Sequence, residues 1–332
     1  MRIVKKRAYA RIGLLGNPSD GYFGKTISTT IKNFSTEVVL YEWPELEVVL
    51  GKQDRCQFTR MEELVEDVQL NGLYGGLRLV KAAIKVFAQH CRSQEITLPE
   101  VNFSLRYNTD IPRQVGLAGS SAIITAVFRA LCDFYSIEIP LQILANLILE
   151  TETREIGIAA GLQDRVCQVY NNLVYMDFNE QDFKKQGYGN YEILDSRLLP
   201  GLYMAYQTRL SEISGIYHNN LRERWLQGDR DVIKAMRRFA ELARKGREAI
   251  LEKDYKKLGE LMDENFDLRA SLVRLNPDNI KMIEVARKLG VSAKYAGSGG
   301  AVIGICQDDE LLKKLEKKFA EIGCTVIRPI IS

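Results

Sequence analysis

Glu152 and Asp164 flank a loop of small residues, Gly157-Ile-Ala-Ala-Gly161-Leu-Gln-Asp164-Arg165. Upstream stands a glycine-rich stretch, Ile111-Pro-Arg113-Gln-Val-Gly116-Leu117-Ala118-Gly119-Ser120-Ser121-Ala122, which runs directly into an apolar helix. Glycines let a backbone approach a ligand closely and gather several N–H groups into one concavity. The N-terminus of a helix adds unpaired N–H groups and partial positive charge, which favours a phosphate. Serine hydroxyls in the first turn can cap the helix or bind a Mg²⁺ that travels with a nucleotide. Two carboxylates beside a phosphate loop suit phosphoryl transfer, one for the metal and one to accept or orient a hydroxyl proton. The same residues also fit a plainer account, in which Ser120 caps a packed helix, Asp164 is a helix N-cap and Glu152 is a solvated helix residue.

Two further stretches carry hydrogen-bonding groups on a flexible backbone. Tyr295-Ala-Gly297-Ser298-Gly299-Gly300 precedes a strand-like segment and could pack against the first glycine loop from another domain. Near the start, Arg11-Ile-Gly-Leu-Leu-Gly16-Asn17-Pro18-Ser19-Asp20 offers groups suited to sugar hydroxyls. Each could be a simple turn when taken alone. Neither the Walker A spacing nor G-x-G-x-x-G is present, so P-loop and Rossmann readings fail. The two histidines, His90 and His218, lie in polar helical contexts and read as surface residues rather than zinc ligands.

The elements that must position these residues follow from periodicity. Ala8–Leu15, Thr26–Ile31, Glu37–Glu42, Val101–Arg106 and Leu173–Phe178 pattern as strands, and the turn-rich segment Gly16–Gly24 separates the first two. Helical spacing covers Leu77–Cys91, Ser120–Tyr135, about Leu141–Ile156 and Asp164–Val169. The pattern pauses near Leu198–Gly201, and Leu202–Gln207 opens a second domain, so residues 1–200 and 201–332 are expected as two units. From Ser214 to Leu275 the chain is charged and helical, with solvated Lys/Arg/Glu faces. Ala293–Gly304 brings the last glycine loop and a strand, followed by a helix at Glu310–Ile322 and a strand at Thr325–Ile331. The expected class is α+β, with mixed or antiparallel sheets covered by helices and an active site in the cleft between the domains.

Composition narrows the function classes. The 332 residues are 46% hydrophobic and 27% charged, enough to bury a real core. A net charge of only +3 gives no electrostatic case for nucleic acid, though it tolerates anionic small substrates. No run approaches the roughly 20 apolar residues of a membrane span, and Arg11 interrupts any leader-like core, so a cytoplasmic protein is expected. The cysteines, Cys56, Cys91, Cys132, Cys167, Cys306 and Cys324, are scattered without a C-x-x-C pair, as reduced thiols would be. Oligomeric state is not legible.

In order and spacing, the three glycine-bearing stretches resemble the three motifs of the GHMP kinases, among them galactokinase, homoserine kinase, mevalonate kinase and phosphomevalonate kinase. Arg11-Ile-Gly-Leu-Leu-Gly looks like the first motif, although Asn17-Pro18 replaces its usual Glu-His. Gly116-Leu-Ala-Gly-Ser-Ser-Ala is close to the second, with Ala118 in place of a glycine, and Gly297-Ser-Gly-Gly-Ala resembles the third. Ala8-Tyr-Ala-Arg-Ile-Gly-Leu-Leu-Gly-Asn-Pro-Ser-Asp, Ile111-Pro-Arg-Gln and Gly161-Leu-Gln-Asp-Arg-Val are similar to the family's glucuronokinase branch. The resemblance runs from about Ala8 to Val302.

That resemblance implies a MgATP-dependent kinase acting on the anomeric hydroxyl of a sugar or sugar acid, D-glucuronate in the matching branch. Asp164 matches the catalytic aspartate, with Arg11 as the cation beside it. Ser121 and Glu152 match the Mg²⁺ ligands, and Gly116, Leu117, Ala118, Gly119, Ser120 and Ser121 the nucleotide loop. Tyr74 is placed against adenine. Asn17, Ser19, Asp20, Gly297, Ser298 and Gly299 fall on the sugar side, where Asp20 matches a carboxylate that binds hydroxyls. A uronate also needs a cation for its carboxylate, ideally a bidentate arginine, and Lys25, Arg113 and Arg165 are the candidates. Alternative acceptors are galacturonate and a heptose phosphate. A non-catalytic ATP- and sugar-binding sensor would not need Asp164, Glu152 and Ser121 together.

Overall fold

The computed structural model describes residues 2–49, 75–207 and 215–332, and its scaffold is a long antiparallel pair of strands. β1 (Ile3–Leu15) pairs from Ile3↔Tyr41 to Leu15↔Ile27 with β2 (Lys25–Glu42), and a 3-10 turn at Ser19–Tyr22 lies between them. Ala8, Ala10, Ile12 and Leu14 alternate onto one buried face of β1. Arg11 and Leu15 on the other face are buried too, so this end of the strand is sandwiched between layers. The sequence predicts separate strands at Thr26–Ile31 and Glu37–Glu42. The structure joins them into one strand of 18 residues. Both stretches continue the ladder with β1, and a register shift between Tyr9 and Ala10 absorbs the polar residues between them.

β3 (Glu47–Val49) runs parallel to β4 (Phe103–Thr109), with α1 (Gly76–Ser93) between them in the chain. α1 buries Val80, Ala83, Phe87 and Cys91, spaced three and four residues apart on one face. α2 (Gly119–Tyr135) is buried along most of its length, and α3 (Leu141–Glu150) runs into a single π turn at Thr151–Glu155. α4 (Gln163–Tyr170), β5 (Leu173–Asp177), α5 (Glu180–Gln186) and β6 (Asn190–Leu194) follow. These strands form one sheet in the order β3-β4-β2-β5-β6, with β1 added on β2. β2 reaches β5 through Lys25–Ser28 and β4 through Thr36–Glu42.

β7 (Leu202–Tyr206) starts a second sheet. The charged stretch after it resolves into α6 (Gly215–Leu226), α7 (Arg230–Glu252) and α8 (Tyr255–Leu272), and Asp229 and Asp254 cap the latter two. α9 (Pro277–Lys288), β8 (Lys294–Tyr295), β9 (Ala301–Ile305), α10 (Asp309–Ala320) and β10 (Thr325–Ile327) complete the chain. The sheet order is β10-β7-β9-β8, antiparallel throughout. The last strand stops at Ile327 rather than continuing to Ile331, and Ile331 instead bridges to Ile31 in the first sheet. Pro329 lacks the N–H that a continuing ladder would need. Among the described residues no helix is long and apolar enough to cross a membrane.

Candidate active site

Arg11 is the node at which the site is assembled. It sits on the buried end of β1, 4% exposed, and its backbone N–H donates to Leu117 O at 3.1 Å, tying the strand to the first glycine loop. Its Nη1 donates to Ala296 O at 2.6 Å and to Gly116 O at 3.3 Å, while Nη2 pairs with Asp164 Oδ1 at 2.6 Å. One guanidinium therefore touches both glycine loops and the first turn of α4. The planar fork with five donors is what allows three segments to meet at one side chain. Gln168, one turn further along α4, reinforces the arrangement by donating to Tyr9 O at 3.0 Å and Ala118 O at 2.9 Å.

The two glycine loops touch through their backbones. A Cβ on Gly297 would run into Gly116 O, and one on Gly116, whose φ is +72°, would lie 2.8 Å from Ser298 N. Side chains are excluded because the loops need the same space. Ala118 occupies the N-cap position of α2 in the left-handed region with φ 61°, and no side chain caps the helix. Among the described residues the first-turn N–H groups consequently meet no capping side chain and remain suited to an anion. Ser120 is thus not a cap, as the plainer account had it. Instead its Oγ donates to Glu152 Oε1 at 2.6 Å.

Glu152 lies in the π turn after α3 and is fully buried, which removes the alternative of a solvated helix residue. Nε and Nη2 of Arg165 both donate to Glu152 Oε2, and Nη1 of Arg165 lies 3.4 Å from Asp164 Oδ2. Asp164 is in the first turn of α4, whose N-cap residue is Leu162, so it is not a cap either. Ser121 is buried and donates to Ala118 O at 3.2 Å, so Ser120 rather than Ser121 meets Glu152. Successive helical residues are about 100° apart, which turns Ser121 into the core.

Asp20 reaches the same cluster from the 3-10 turn, and its Oδ2 accepts the Gln163 N–H at 3.1 Å. Gly161 leaves the space that this carboxylate fills, since a Cβ there would force Asp20 to move. Burial first, and then the nearby Asp164 carboxylate, push Asp20 up to about 6. The Gln163 N–H and the charges of Arg165 and Arg11 pull the other way.

The remaining expected residues are distributed unevenly. Among the described residues Asn17 Oδ1 is buried without a partner, while the Asn17 carbonyl accepts from Asn265 Nδ2 at 3.2 Å. Ser19 is fully buried, donates to Lys25 O and accepts from Lys25 N–H, so its hydroxyl is consumed in the turn. Lys25 is ion-paired with Asp177. Arg165 is buried on Glu152, and this sets it apart from the free cation the sequence reading pictured. Arg113 is exposed on the first glycine loop, Leu117 is a core residue, and Gly119 opens α2. Ser298 and Gly299 face Gly116. Tyr74 lies outside the described residues. No group of three or more His, Cys, Asp and Glu suited to a metal occurs among the described residues.

Three polar residues that brace the site escaped the sequence reading. Arg269 is buried and donates to Gly297 O at 2.8 Å and Ser298 O at 3.1 Å, with its guanidinium 5.4 Å over the Tyr295 ring. Lys294 is fully buried and donates to Gly13 O at 2.7 Å and Tyr295 O at 2.6 Å, and burial then the charges of Arg269 and Arg11 hold its pKa far below that of an ordinary lysine. Asn265 accepts the Gly16 N–H at 2.7 Å. Their one legible signal was a lone polar side chain inside an apolar pattern, as with Lys294 between Ala293 and Tyr295-Ala296.

Comparison with known proteins agrees with this geometry. Residues 78–172 match the family model of the GHMP kinases N terminal domain, and residues 247–323 match that of the GHMP kinases C terminal domain. Glucuronokinase 1 of Arabidopsis thaliana is 45% identical over 97% of this chain and 91% of its own length. Probable glucuronokinase 2 of the same plant is 46% identical over 99% and 91%. Among solved structures, Lactococcus lactis galactokinase complexed with galactose superposes with a TM-score of 0.79 at 17% identity, covering 99% of this chain and 94% of that one. With its glycine loops converging on Arg11 and its sequence matched nearly end to end, this chain belongs to the GHMP kinase family and is a glucuronokinase-like sugar kinase of two-domain α+β fold.

Proposed function

We propose that the protein transfers the γ-phosphoryl group of ATP to the anomeric hydroxyl of D-glucuronate, giving glucuronate 1-phosphate and ADP. The observation that carries this reading is the Arg11–Asp164 pair, 2.6 Å long, in which a buried guanidinium holds a partly exposed carboxylate between the two glycine loops and next to Asp20. The similarity to plant glucuronokinases supports the choice of acceptor.

In this scheme the Gly116–Ser121 loop and the N-terminus of α2 receive the phosphates of ATP. Asp164 takes the proton of the anomeric hydroxyl as its oxygen attacks the γ-phosphorus. The new O–P bond forms while the bond to the β,γ-bridging oxygen breaks, and ADP leaves with that electron pair. Arg11 fixes Asp164 and faces the transferring group with positive charge. Asp20 accepts hydrogen bonds from sugar hydroxyls, with Asn17 and the Gly297–Gly299 backbone around them. Oxygen donors suited to the Mg²⁺ accompanying ATP are Ser120 Oγ and Glu152, which already meet, whereas Ser121, the serine that the family resemblance matches to the ion, is turned toward the core. That ion would neutralise phosphate charge. We place the division between the two domains near Gly201 and the enzyme in the cytoplasm.

The test is ADP release with MgATP across glucuronate, galacturonate, glucose, galactose and a heptose phosphate. Turnover on glucuronate is expected, and Asp164→Asn should lower it by about a hundredfold or more while ATP still binds. Preference for another sugar in the panel would overturn the acceptor, and full activity of Asp164→Asn would overturn the mechanism.

A further inference from the structure

Arg222 stands on α6 beside the 3-10 turn that delivers Asp20. Its Nη1 donates to Gly21 O at 2.6 Å, one residue along the chain from Asp20. The guanidinium carbon lies 5.8 Å from the centre of the Tyr22 ring and 5.4 Å from that of Trp225, and those rings pack edge to face at 5.7 Å. Two aromatic faces and one carbonyl therefore hold an exposed arginine in place.

Several other cations, in the site and on α6, are already committed. Arg11 is paired with Asp164, Arg165 with Glu152, Lys25 with Asp177 and Arg224 with Asp229. Among the described residues no carboxylate meets Arg222, so all but one of its five N–H donors lack a protein acceptor there. The Tyr22 phenol connects it to the site. Burial raises that hydroxyl to about 12, the Arg222 charge lowers it and the Asp20 charge raises it, so cation and carboxylate act on the same ring. An acidic sugar held through its hydroxyls by Asp20 needs a cation for its carboxylate, and a fixed, planar fork on the turn that carries Asp20 suits bidentate recognition.

We infer that Arg222 is the specificity-determining residue that binds the carboxylate of the sugar-acid substrate. This rests on the acidic-sugar reading above and deepens it. Its aromatic cradle pre-organises the fork, so little side-chain freedom is lost when the substrate docks.

The experiment compares wild type, Arg222→Gln and Arg222→Lys in steady-state kinetics with glucuronate, using glucose as the neutral comparator, turned over or as a competitive inhibitor. Arg222→Gln should raise KM for glucuronate about 10- to 100-fold with kcat largely kept, because a charged hydrogen-bonded contact is lost at binding. KM for ATP and the affinity for glucose should stay at wild-type values, and Arg222→Lys should recover part of the loss. Thermal melts of both variants confirm the fold, and Arg222→Lys keeps the charge if Arg222→Gln fails to fold. Equal effects on glucuronate and glucose, or none on either, would overturn the role of Arg222 alone. A wild-type enzyme that accepts only neutral sugars would overturn the acidic-sugar reading, and Arg222 with it.

Discussion

At Asp20 burial and then the Asp164 charge push the pKa up to about 6, against an ordinary 3.8, with the surrounding donors pulling the other way. A carboxylate that accepts sugar hydroxyls must be ionised, so kcat/KM for the sugar should rise with pH through about 6 and level off above it. Asp20→Asn should flatten that limb while lowering the plateau, and an unchanged limb would assign the titration to another group. Stability follows the same proton. Between roughly pH 4 and 6 the folded state holds a proton that the unfolded state has released, so this residue's contribution falls as pH rises through that window. Asp20→Asn should therefore raise Tm at neutral pH and change it little below pH 4. At this scale the sequence was informative about residue types and less so about their partners. Glu152, Asp164 and Ser120 each allowed a bland placement, and only the packing that brings Arg11 and Arg165 to the carboxylates excludes it.

The converging loops belong to the scale of elements. A Cβ on Gly297 would meet the Gly116 carbonyl, with Arg11 Nη1 at 3.0 Å, and a backbone carbonyl beside an ion-paired guanidinium leaves little that can give. Gly297→Ala should separate the loops, cost about 1–3 kcal/mol in chemical denaturation and depress kcat/KM for both substrates. Gly290→Ala serves as the comparison, since it also has positive φ but no atom within 4 Å of its Cβ. It should cost about 1 kcal/mol or less and leave kinetics intact. Element types were readable from periodicity because apolar spacing separates helices from strands. Lengths were not. The break read at residues 32–36 vanishes because β1 pairs on both sides of it, and the helix read to Ile156 ends in a π turn that positions Glu152.

Across the whole molecule the two sheet units are interlocked rather than merely adjacent. α7 from the later part of the chain sets Ala243 and Gly246 against Gly16 and Leu15 of the first. Asn33 accepts the Ile330 N–H at 2.7 Å, Lys32 N–H donates to Ile330 O at 2.7 Å, and Lys294 holds Gly13. With one apolar cluster running through both, unfolding should be a single cooperative transition. Coincident midpoints from far-UV circular dichroism and from the fluorescence of Trp43 and Trp225 would verify this, and two separated midpoints would contradict it. The sequence by itself determined the family, the three loops, their chemistry and the class of each element, because glycine spacing, carboxylates and hydrophobic period are local properties of the chain. Only the tertiary structure decided which charges pair, that Ser19, Lys25 and Arg165 are held by protein partners, and that an exposed Arg222 rests on the turn that carries Asp20. Those outcomes depend on the burial and mutual approach of segments far apart in the chain, 285 residues in the case of Arg11 and Ala296, and no local pattern encodes such a meeting.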